Sequence, residues 1–123
     1  MIWSDESPMH AEQTYLESCF SADKSVIVTN EHEKIIGVSE AWTVMCGFAA
    51  HDVFGMTPKV LQGADTDLTA ARAFVSDIRN SQRAHVILVN YKKSKQTFRH
   101  ELIGWQYGDL MIAESVSENA IEI

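Results

Sequence analysis

The most informative stretch of the sequence reads Gly55-Met56-Thr57-Pro58-Lys59-Val60-Leu61-Gln62-Gly63. Gly55 suits a backbone turn at positive φ, because glycine carries no Cβ. Pro58 suits the first turn of a helix, where its missing N–H costs no hydrogen bond. Gly63 is expected to end that helix. The stretch therefore predicts a turn, a short piece of helix and a second break in close succession.

Patterns on the N-terminal side of this stretch predict a hairpin and a helix. Val26–Thr29 and Ile35–Val38 are β-branched runs joined by a polar turn, which is typical of two adjacent strands. Ser39 suits the N-cap of the following helix, and Gly47 suits its left-handed end. The apolar residues of this helix recur at helical spacing and define an inner face, formed by Trp42, Met45 and Cys46.

Patterns on the C-terminal side predict a longer helix and a three-stranded meander. The helix is expected to be capped by Asp65 or Thr66, with an apolar stripe that reaches Ile78. The strands are expected over Ala84–Tyr91, Thr97–Tyr107 and residues 110–116. Together the elements predict an α+β fold, with five antiparallel strands, short helices on one face and an N-terminal helix on the other.

Several parts of the chain, in this order, resemble the light-oxygen-voltage (LOV) branch of the PAS family. That branch carries the pattern Gly-x-Asn-Cys-Arg-Phe-Leu-Gln-Gly, whose frame is kept here as Gly55 and Leu61-Gln62-Gly63. Its first strand matches Val26–Thr29, and its hairpin matches Asn90-Tyr91-Lys92-Lys93-Ser94. The resemblance implies a PAS fold, with a leader and flanking helix over residues 1–24, the PAS domain over 25–117 and a tail over 118–123.

The residues that give this branch its photochemistry are replaced. Pro58 stands at the position of the family's photoreactive Cys, and Thr57 at that of the preceding Asn. Lys59 stands at the position of a phosphate-binding Arg and would act as a point charge rather than a bidentate fork. Because proline has no thiol, no cysteinyl–flavin adduct is expected at this position.

The resemblance implies a ligand cavity on the helix side of the sheet. Gln62 keeps a family Gln, and Asn90 keeps the Asn that binds the flavin ring edge. The second ring-edge Asn is His100 here, the Gln of the last strand is Ser115, and the second phosphate-binding Arg is Val75. Unpaired buried polar groups cost about 1–3 kcal/mol each, so no cofactor is expected and FMN is disfavoured. The candidate ligand-binding residues are Thr29, Lys59, Gln62, Asn90, His100 and Ser115.

Side-chain alternation in the strands puts an apolar surface on the opposite side of the sheet. A sheet face in water is normally polar, so this face must be covered by the N-terminal helix, by a second copy of the chain, or by both. PAS domains commonly pair through this face, which implies a homodimer or a PAS–PAS heterodimer. The candidate interface residues are Ile87, Val89, Ile103, Trp105, Leu110 and Ile112 on the sheet and Tyr15, Leu16 and Phe20 on the helix.

Composition and spacing exclude several classes of function. The formal net charge of −7 argues against direct binding of nucleic acid, since phosphate contacts need clustered Lys and Arg. No apolar run is long enough for a membrane span, and the start does not resemble a signal peptide. Two cysteines give no disulfide framework, so an intracellular location, cytoplasmic or nuclear, is expected. The histidines lack metal-binding spacing and no catalytic constellation is recognisable, so neither a metal site nor an enzyme is expected.

Three functions remain as hypotheses. The favoured one is a PAS module without photochemistry that dimerises through the outer sheet face and relays a signal to an effector or partner, in signal transduction or transcription regulation. The alternative is a sensor whose cavity is re-tuned to an unknown small molecule by Asn90, Gln62, His100 and Ser115. In a filled core these four would instead satisfy one another or a buried water. The third hypothesis is a flavin protein that performs one-electron chemistry without the adduct.

Overall fold

The structure is a computed structural model and describes residues 1–121. Its helices are α1 His10–Ser18, α2 Glu40–Cys46, α3 Ala50–Val53 and α4 Leu68–Arg79, with a 3-10 turn at Pro58–Leu61. Its strands are β1 Ile2–Trp3, β2 Val26–Thr29, β3 Ile35–Val38, β4 Ala84–Tyr91, β5 Thr97–Tyr107 and β6 Leu110–Ala120. The strands form one antiparallel sheet in the order β1-β3-β2-β6-β5-β4. The predicted α+β class is confirmed.

The sheet has six strands rather than the predicted five, because the N-terminal leader adds a short edge strand. Ile2 pairs with Val38 and Trp3 pairs with Gly37 of β3. A Cβ on Gly37 would lie 2.5 Å from the Trp3 ring, so only glycine lets the indole lie flat on β3. The indole Nε1 also donates to Glu17 of α1 at 2.8 Å. The leader is therefore held by both β3 and α1.

The last strand is longer than predicted and contains a bulge. The β5–β6 register shifts between Glu101 and Leu102, so Val116 is an extra residue between the pairs Leu102–Ser115 and Glu101–Ser117. Beyond the bulge the pairing continues to Ala120 opposite Phe98. Residues 118–120, predicted as tail, thus belong to the sheet, Ile121 follows the end of the strand, and residues 122–123 of the predicted tail lie outside the described residues.

The local signals around α2 act as the sequence predicts. The Ser39 Oγ accepts a hydrogen bond from the Trp42 backbone N–H at 3.2 Å, and Gly47 ends the helix at φ 83°. The 3-10 turn begins at Pro58, and Gly55 takes φ 83°. This part of the chain therefore follows its capping and turn residues.

Two positions next to the helices behave differently from their predicted roles. The cap of α4 is Asp67, whose carboxylate accepts from the Ala70 N–H at 3.0 Å, and neither Asp65 nor Thr66 caps the helix. Thr66 is buried instead and donates its hydroxyl to the Val89 carbonyl at 2.6 Å. A Cβ on Gly63 would lie 2.3 Å from the Tyr91 ring. The role of Gly63 is therefore to leave space for that ring, whereas the sequence predicted that it ends a helix.

The sheet separates two packing layers. The helices α2 and α3 cover β2 and β3 on one face with Trp42 at the centre, and α4 covers β4 and β5 through Phe74 and Ile78. The helix α1 covers the other face, where Leu16 packs into the sheet. No helix in the described part of the chain is long and apolar enough to cross a membrane.

Candidate functional site

A cavity of about 510 Å³ lies between the inner face of the sheet and the helices. Its volume is in the range of small-molecule sites. Strands β2, β4, β5 and β6 supply one wall, and α2, the 3-10 turn and α4 supply the other. The structure brings all six candidate ligand-binding residues to this one cavity: Thr29, Lys59, Gln62, Asn90, His100 and Ser115.

Three of these residues form a hydrogen-bonded row across β4, β5 and β6. The Asn90 amide Nδ2 donates to His100 Nδ1 at 3.0 Å, and His100 Nε2 lies 2.6 Å from the Ser115 Oγ. Because Nδ1 accepts, the hydrogen of a neutral imidazole sits on Nε2, which donates to the serine. All three residues are buried. The row matches the alternative in which the polar residues satisfy one another.

His100 is kept neutral by its surroundings. Its side chain is almost fully buried beside the Phe98 ring, with ring centroids 4.9 Å apart. Burial lowers the pKa of His100 from 6.5 to about 4, because the low-dielectric interior disfavours the imidazolium. At neutral pH the row therefore carries no charge, and its hydrogen-bond directions are fixed.

Two buried polar atoms at this wall have no partner among the described residues. They are the Asn90 Oδ1 and the Ser25 Oγ, on side chains only 4% and 3% exposed. Ser25 precedes β2, and its carbonyl accepts from the Ser115 N–H at 2.9 Å, which places it at the β6 end of the row. The sequence analysis missed Ser25. The signal that could have found it is a serine at the start of an otherwise apolar, fully buried strand.

Two cations line the cavity where the sequence predicts one. Lys59 comes from the 3-10 turn and Arg72 from α4, and both side chains are largely exposed. Val75 stands at the position of the family's second phosphate-binding Arg and supplies no cation, as predicted. Arg72 lies three residues earlier, however, and lines the same cavity. Glu33 also lines the cavity, and its carboxylate pairs with Arg79 at 3.3 Å. No ion pair to Lys59 or Arg72 occurs within residues 1–121.

Neither cysteine lines the cavity, whereas Pro58 and Thr57 do. Cys46 is buried in the α2 core, and burial raises the pKa of its thiol. Cys19 is exposed at the end of α1 on the other side of the sheet. In the part of the chain that the structure describes, no three His, Cys, Asp or Glu side chains are grouped so that they could hold a metal ion.

The outer face of the sheet is covered in part by α1 of the same chain. Tyr15 stacks on Tyr107 at 4.9 Å between ring centroids, and Phe20 lies 5.6 Å from Trp105. Three of the predicted interface residues are thereby buried inside one chain, and their assignment to an interface between chains was wrong: Leu16, Leu110 and Ile112.

Three residues of the predicted interface, together with Val116, form a strip that α1 does not bury. Ile87 on β4 is 44% exposed and Val116 at the bulge is 48% exposed. Val89 and Ile103 are half-buried, and Trp105 borders the strip beneath Phe20. We call these residues the outer strip: Ile87, Val89, Ile103 and Val116.

Comparison with known proteins agrees with this fold. A model of the PAS fold matches residues 13–107, so the chain belongs to the PAS family. A blue-light-activated histidine kinase of Brucella canis is 31% identical over 80 residues, which is 63% of this chain and 16% of that protein. A blue-light photoreceptor of Listeria monocytogenes is 32% identical over 80 residues, again 63% of this chain and 32% of that protein. The chain thus spans a third or less of the curated relatives it matches.

Several solved LOV domains share the fold of this chain. The LOV domain of a blue-light activated histidine kinase from Erythrobacter litoralis superposes with a TM-score of 0.72 at 21% identity, covering 80% of this chain and 97% of that one. A variant of the protein RsLOV superposes with a TM-score of 0.79 at 16% identity, covering 90% and 68%. At these identities the likeness concerns the fold alone. The chain is a PAS domain whose structural neighbours are LOV domains.

Proposed function

We propose that the chain is a sensory PAS domain of LOV type that works without the cysteinyl–flavin photocycle and relays the state of its cavity to a partner or effector domain. The observation that carries the proposal is Pro58, which lines the cavity at the position of the photoreactive Cys. Neither Cys19 nor Cys46 lines the cavity to replace it. The signalling output, including any role in transcription regulation, resides in the partner or effector.

The ring-edge end of the cavity supports the absence of a tightly bound flavin. A flavin ring edge presents two carbonyls and one N–H, and the resemblance implies that the family meets it with amides. In this chain the corresponding residues are Asn90, His100 and Ser115, which supply one amide, one imidazole and one hydroxyl. These three groups are hydrogen-bonded to one another. The N–H of a flavin could meet the unpaired Asn90 Oδ1, but its two carbonyls need donors, and the His100 Nε2–H and one Asn90 Nδ2–H are already donated within the row. Releasing either donor costs a hydrogen bond worth about 0.5–1.5 kcal/mol. The two cations at Lys59 and Arg72 suit a phosphate, but the ring-edge wall does not suit the ring.

Restoring the thiol by Pro58→Cys is expected to give no photocycle. With added FMN, blue light is expected to leave the flavin absorption band unchanged. The polar row does not suit the edge of the flavin ring, so the ring is not held beside the thiol at residue 58. Absorbance before, during and after illumination measures this, with Pro58→Ala as the matched variant. A reversible bleach in Pro58→Cys that is absent from Pro58→Ala would show that the cavity still positions a flavin. The further changes His100→Asn and Ser115→Gln, added to Pro58→Cys, then measure what the restored amides contribute.

The second part of the proposal is a homodimer formed through the outer strip. The strip lies next to the α1–sheet contact, and its apolar residues alternate with charged ones: Ile87 is paired with Glu101 and Val89 with Arg99. The contact of 2.7 Å between His85 Nε2 and the Glu101 carboxylate runs between Ile87 and Ile103. Interfaces between copies combine apolar and charged contacts in this way, so the proposal includes both kinds of side chain. The interface proposed here is smaller than the whole outer face, because α1 already covers Leu110 and Ile112.

A charge placed in the outer strip is expected to separate the dimer. In Ile87→Glu a carboxylate would face its own copy in the partner, and sedimentation should show a monomer at concentrations where the parent chain is dimeric. Val44→Glu is the matched control, because Val44 is 79% exposed on α2, away from the strip. Trp105→Glu is a less clean test, since Trp105 also holds Phe20 and the Arg83 guanidinium, 5.0 Å from its ring centroid. An unchanged sedimentation coefficient in Ile87→Glu would remove the strip from consideration.

A second candidate function, a small-molecule sensor, is favoured by the two unpaired polar atoms at the cavity wall. A residual flavin protein with one-electron chemistry is the remaining alternative, and an FMN titration of the parent chain under illumination tests it. Sensing through the cavity and dimerisation through the strip are compatible, because the two sites lie on opposite faces of the same strands β4 and β5.

A further inference from the structure

We propose that the cavity binds a small organic anion other than a flavin, with an apolar body, an acidic group at Lys59 and Arg72, and an N–H or O–H donor at the other end. This inference rests on the proposed function, since it assumes a cavity without a resident flavin. The ligand's donor would meet the Asn90 Oδ1 and the Ser25 Oγ. Neither Ser25 nor Arg72 belongs to the ligand set that the family resemblance implies.

The floor of the cavity selects a hydrogen-bond donor. The Asn90 Nδ2 donates one hydrogen to His100, and the amide atom without any partner in the described chain is the carbonyl Oδ1, which can only accept. The Ser25 hydroxyl is a second unpaired group at the same wall. A buried acceptor without a partner is costly, and a ligand N–H or O–H would relieve that cost. A ligand that presents only carbonyl oxygens at this end would not.

The other end of the cavity selects negative charge. Lys59 and Arg72 line the cavity and make no ion pair within the described residues, while the one lining acid, Glu33, pairs with Arg79. In a chain of net charge −7, two exposed cations that line the same cavity without an ion pair among the described residues are a local reversal of sign. The planar guanidinium of Arg72 can bind a carboxylate through two parallel hydrogen bonds.

The wall between the two ends is apolar and suits an aromatic or branched hydrocarbon body. It includes two aromatic side chains from the helices and aliphatic side chains from the sheet, among them Trp42, Phe74, Leu88, Leu102 and Met111. A wholly polar anion, such as inorganic phosphate, would leave these side chains without contacts. The apolar body of the ligand would therefore supply the buried contact area, and the polar groups at its two ends would fix its orientation in the cavity.

Three matched probes separate the two ends. Indole-3-acetate carries a carboxylate and a ring N–H, naphthalene-1-acetate carries the carboxylate without a donor, and tryptophol carries the N–H without the charge. Isothermal titration of the purified chain should show that indole-3-acetate binds most tightly. Naphthalene-1-acetate and tryptophol should each bind about tenfold more weakly, because each lacks one of the two interactions. Equal affinities for all three would overturn the inference, because neither end would then select anything. Absence of indole-3-acetate binding would also overturn it.

Substitutions at the opening test the same point from the protein side. The double variant Lys59→Gln plus Arg72→Gln should weaken indole-3-acetate by about tenfold and leave tryptophol unchanged. Both residues are largely exposed, so the fold should tolerate the change. Lys93→Gln plus Lys95→Gln, at the exposed hairpin tip, is the matched control with the same loss of charge. A parallel loss in the control would mean that the anion responds to net charge rather than to the cavity.

An FMN titration under illumination distinguishes failure of this inference from failure of the proposed function. If FMN binds and undergoes a reversible blue-light bleach, the proposed function is wrong and the inference falls with it. If FMN gives no bleach and indole-3-acetate does not bind, the inference alone is wrong, and the sensory domain without a photocycle stands.

Discussion

As the pH falls from 6.5 to about 4, burial of His100 is expected to lower the free energy of unfolding by roughly 3 kcal/mol. The folded chain holds His100 neutral down to about pH 4, whereas the unfolded chain binds a proton to it below about 6.5. The unfolded state therefore binds more protons throughout this window, and stability must fall as the pH falls. Urea unfolding at a series of pH values between these limits measures the loss.

The variant His100→Asn serves as the control, because it removes the titrating group and keeps a side chain that can hydrogen-bond. The difference in stability between the parent chain and this variant should shrink as the pH falls through the window. The carboxylates of Asp23 and Glu101 also have lowered pKa values, but their contribution is lost only below their ordinary pKa values of 3.8 and 4.5. Identical pH dependence in the two proteins would contradict a buried neutral His100.

Protonation of His100 would also rearrange the polar row. The imidazolium has two N–H donors, so Nδ1 could no longer accept from the Asn90 Nδ2. The Asn90 amide would have to turn its Oδ1 toward the ring and present its NH₂ group to the cavity. The same wall would then select acceptors, so the ligand preference inferred above holds for the neutral form of the row.

The sequence predicted those parts of the fold that depend on local chemistry. Ser39 and Gly47 bound α2 because a capping hydroxyl and a positive φ are properties of single residues. The hairpin, the 3-10 turn at Pro58 and the alternation of β4 follow in the same way from neighbouring residues. Four of the six candidate cavity residues lie on strands and reach one cavity because strand alternation fixes which side each of them faces, whereas Lys59 and Gln62 come from the 3-10 turn and the residue after it.

The remaining features depend on contacts between distant residues. The strand β1 exists because Gly37 leaves room for the Trp3 ring, a match across 34 positions that no local pattern contains. The bulge at Val116 extends β6, and the pairing of residues 118–120 with β5 decides where the strand ends. Polar tails that pair with a sheet look like loops in the sequence, because their hydrogen bonds are made by the backbone.

The candidate site was incomplete for a related reason. Matching to a family position by position drew attention to Val75 and away from Arg72, although both line the cavity from the same helix. The outer face was overestimated because the sequence does not show how far the side chains near α1 reach, whereas Leu16, Tyr15 and Phe20 each contact a different part of the sheet. Coverage by aromatic side chains is larger than the length of a helix suggests.

The substitution Trp42→Ala is expected to lower the free energy of unfolding by about 3–5 kcal/mol. Trp42 is 1% exposed and is the largest fully buried side chain of the core beneath α2. The loss should lie at the upper end of this range, because α2 cannot move inward to fill the space. The Ser39 Oγ at its start donates to the Lys24 carbonyl at 2.7 Å, and the Cys46 carbonyl at its end accepts from the Lys93 N–H at 2.8 Å.

Denaturant unfolding of three variants on the same helix measures this effect. Val44→Ala, at a position 79% exposed, should change stability by no more than about 0.5 kcal/mol. Trp42→Phe should fall between the two, because it keeps an aromatic ring against the sheet. A loss below about 1 kcal/mol in Trp42→Ala would mean that the helix does collapse into the space. Because Trp42 also lines the cavity, that collapse would change the cavity's volume, and the affinity of Trp42→Ala for indole-3-acetate would report it directly.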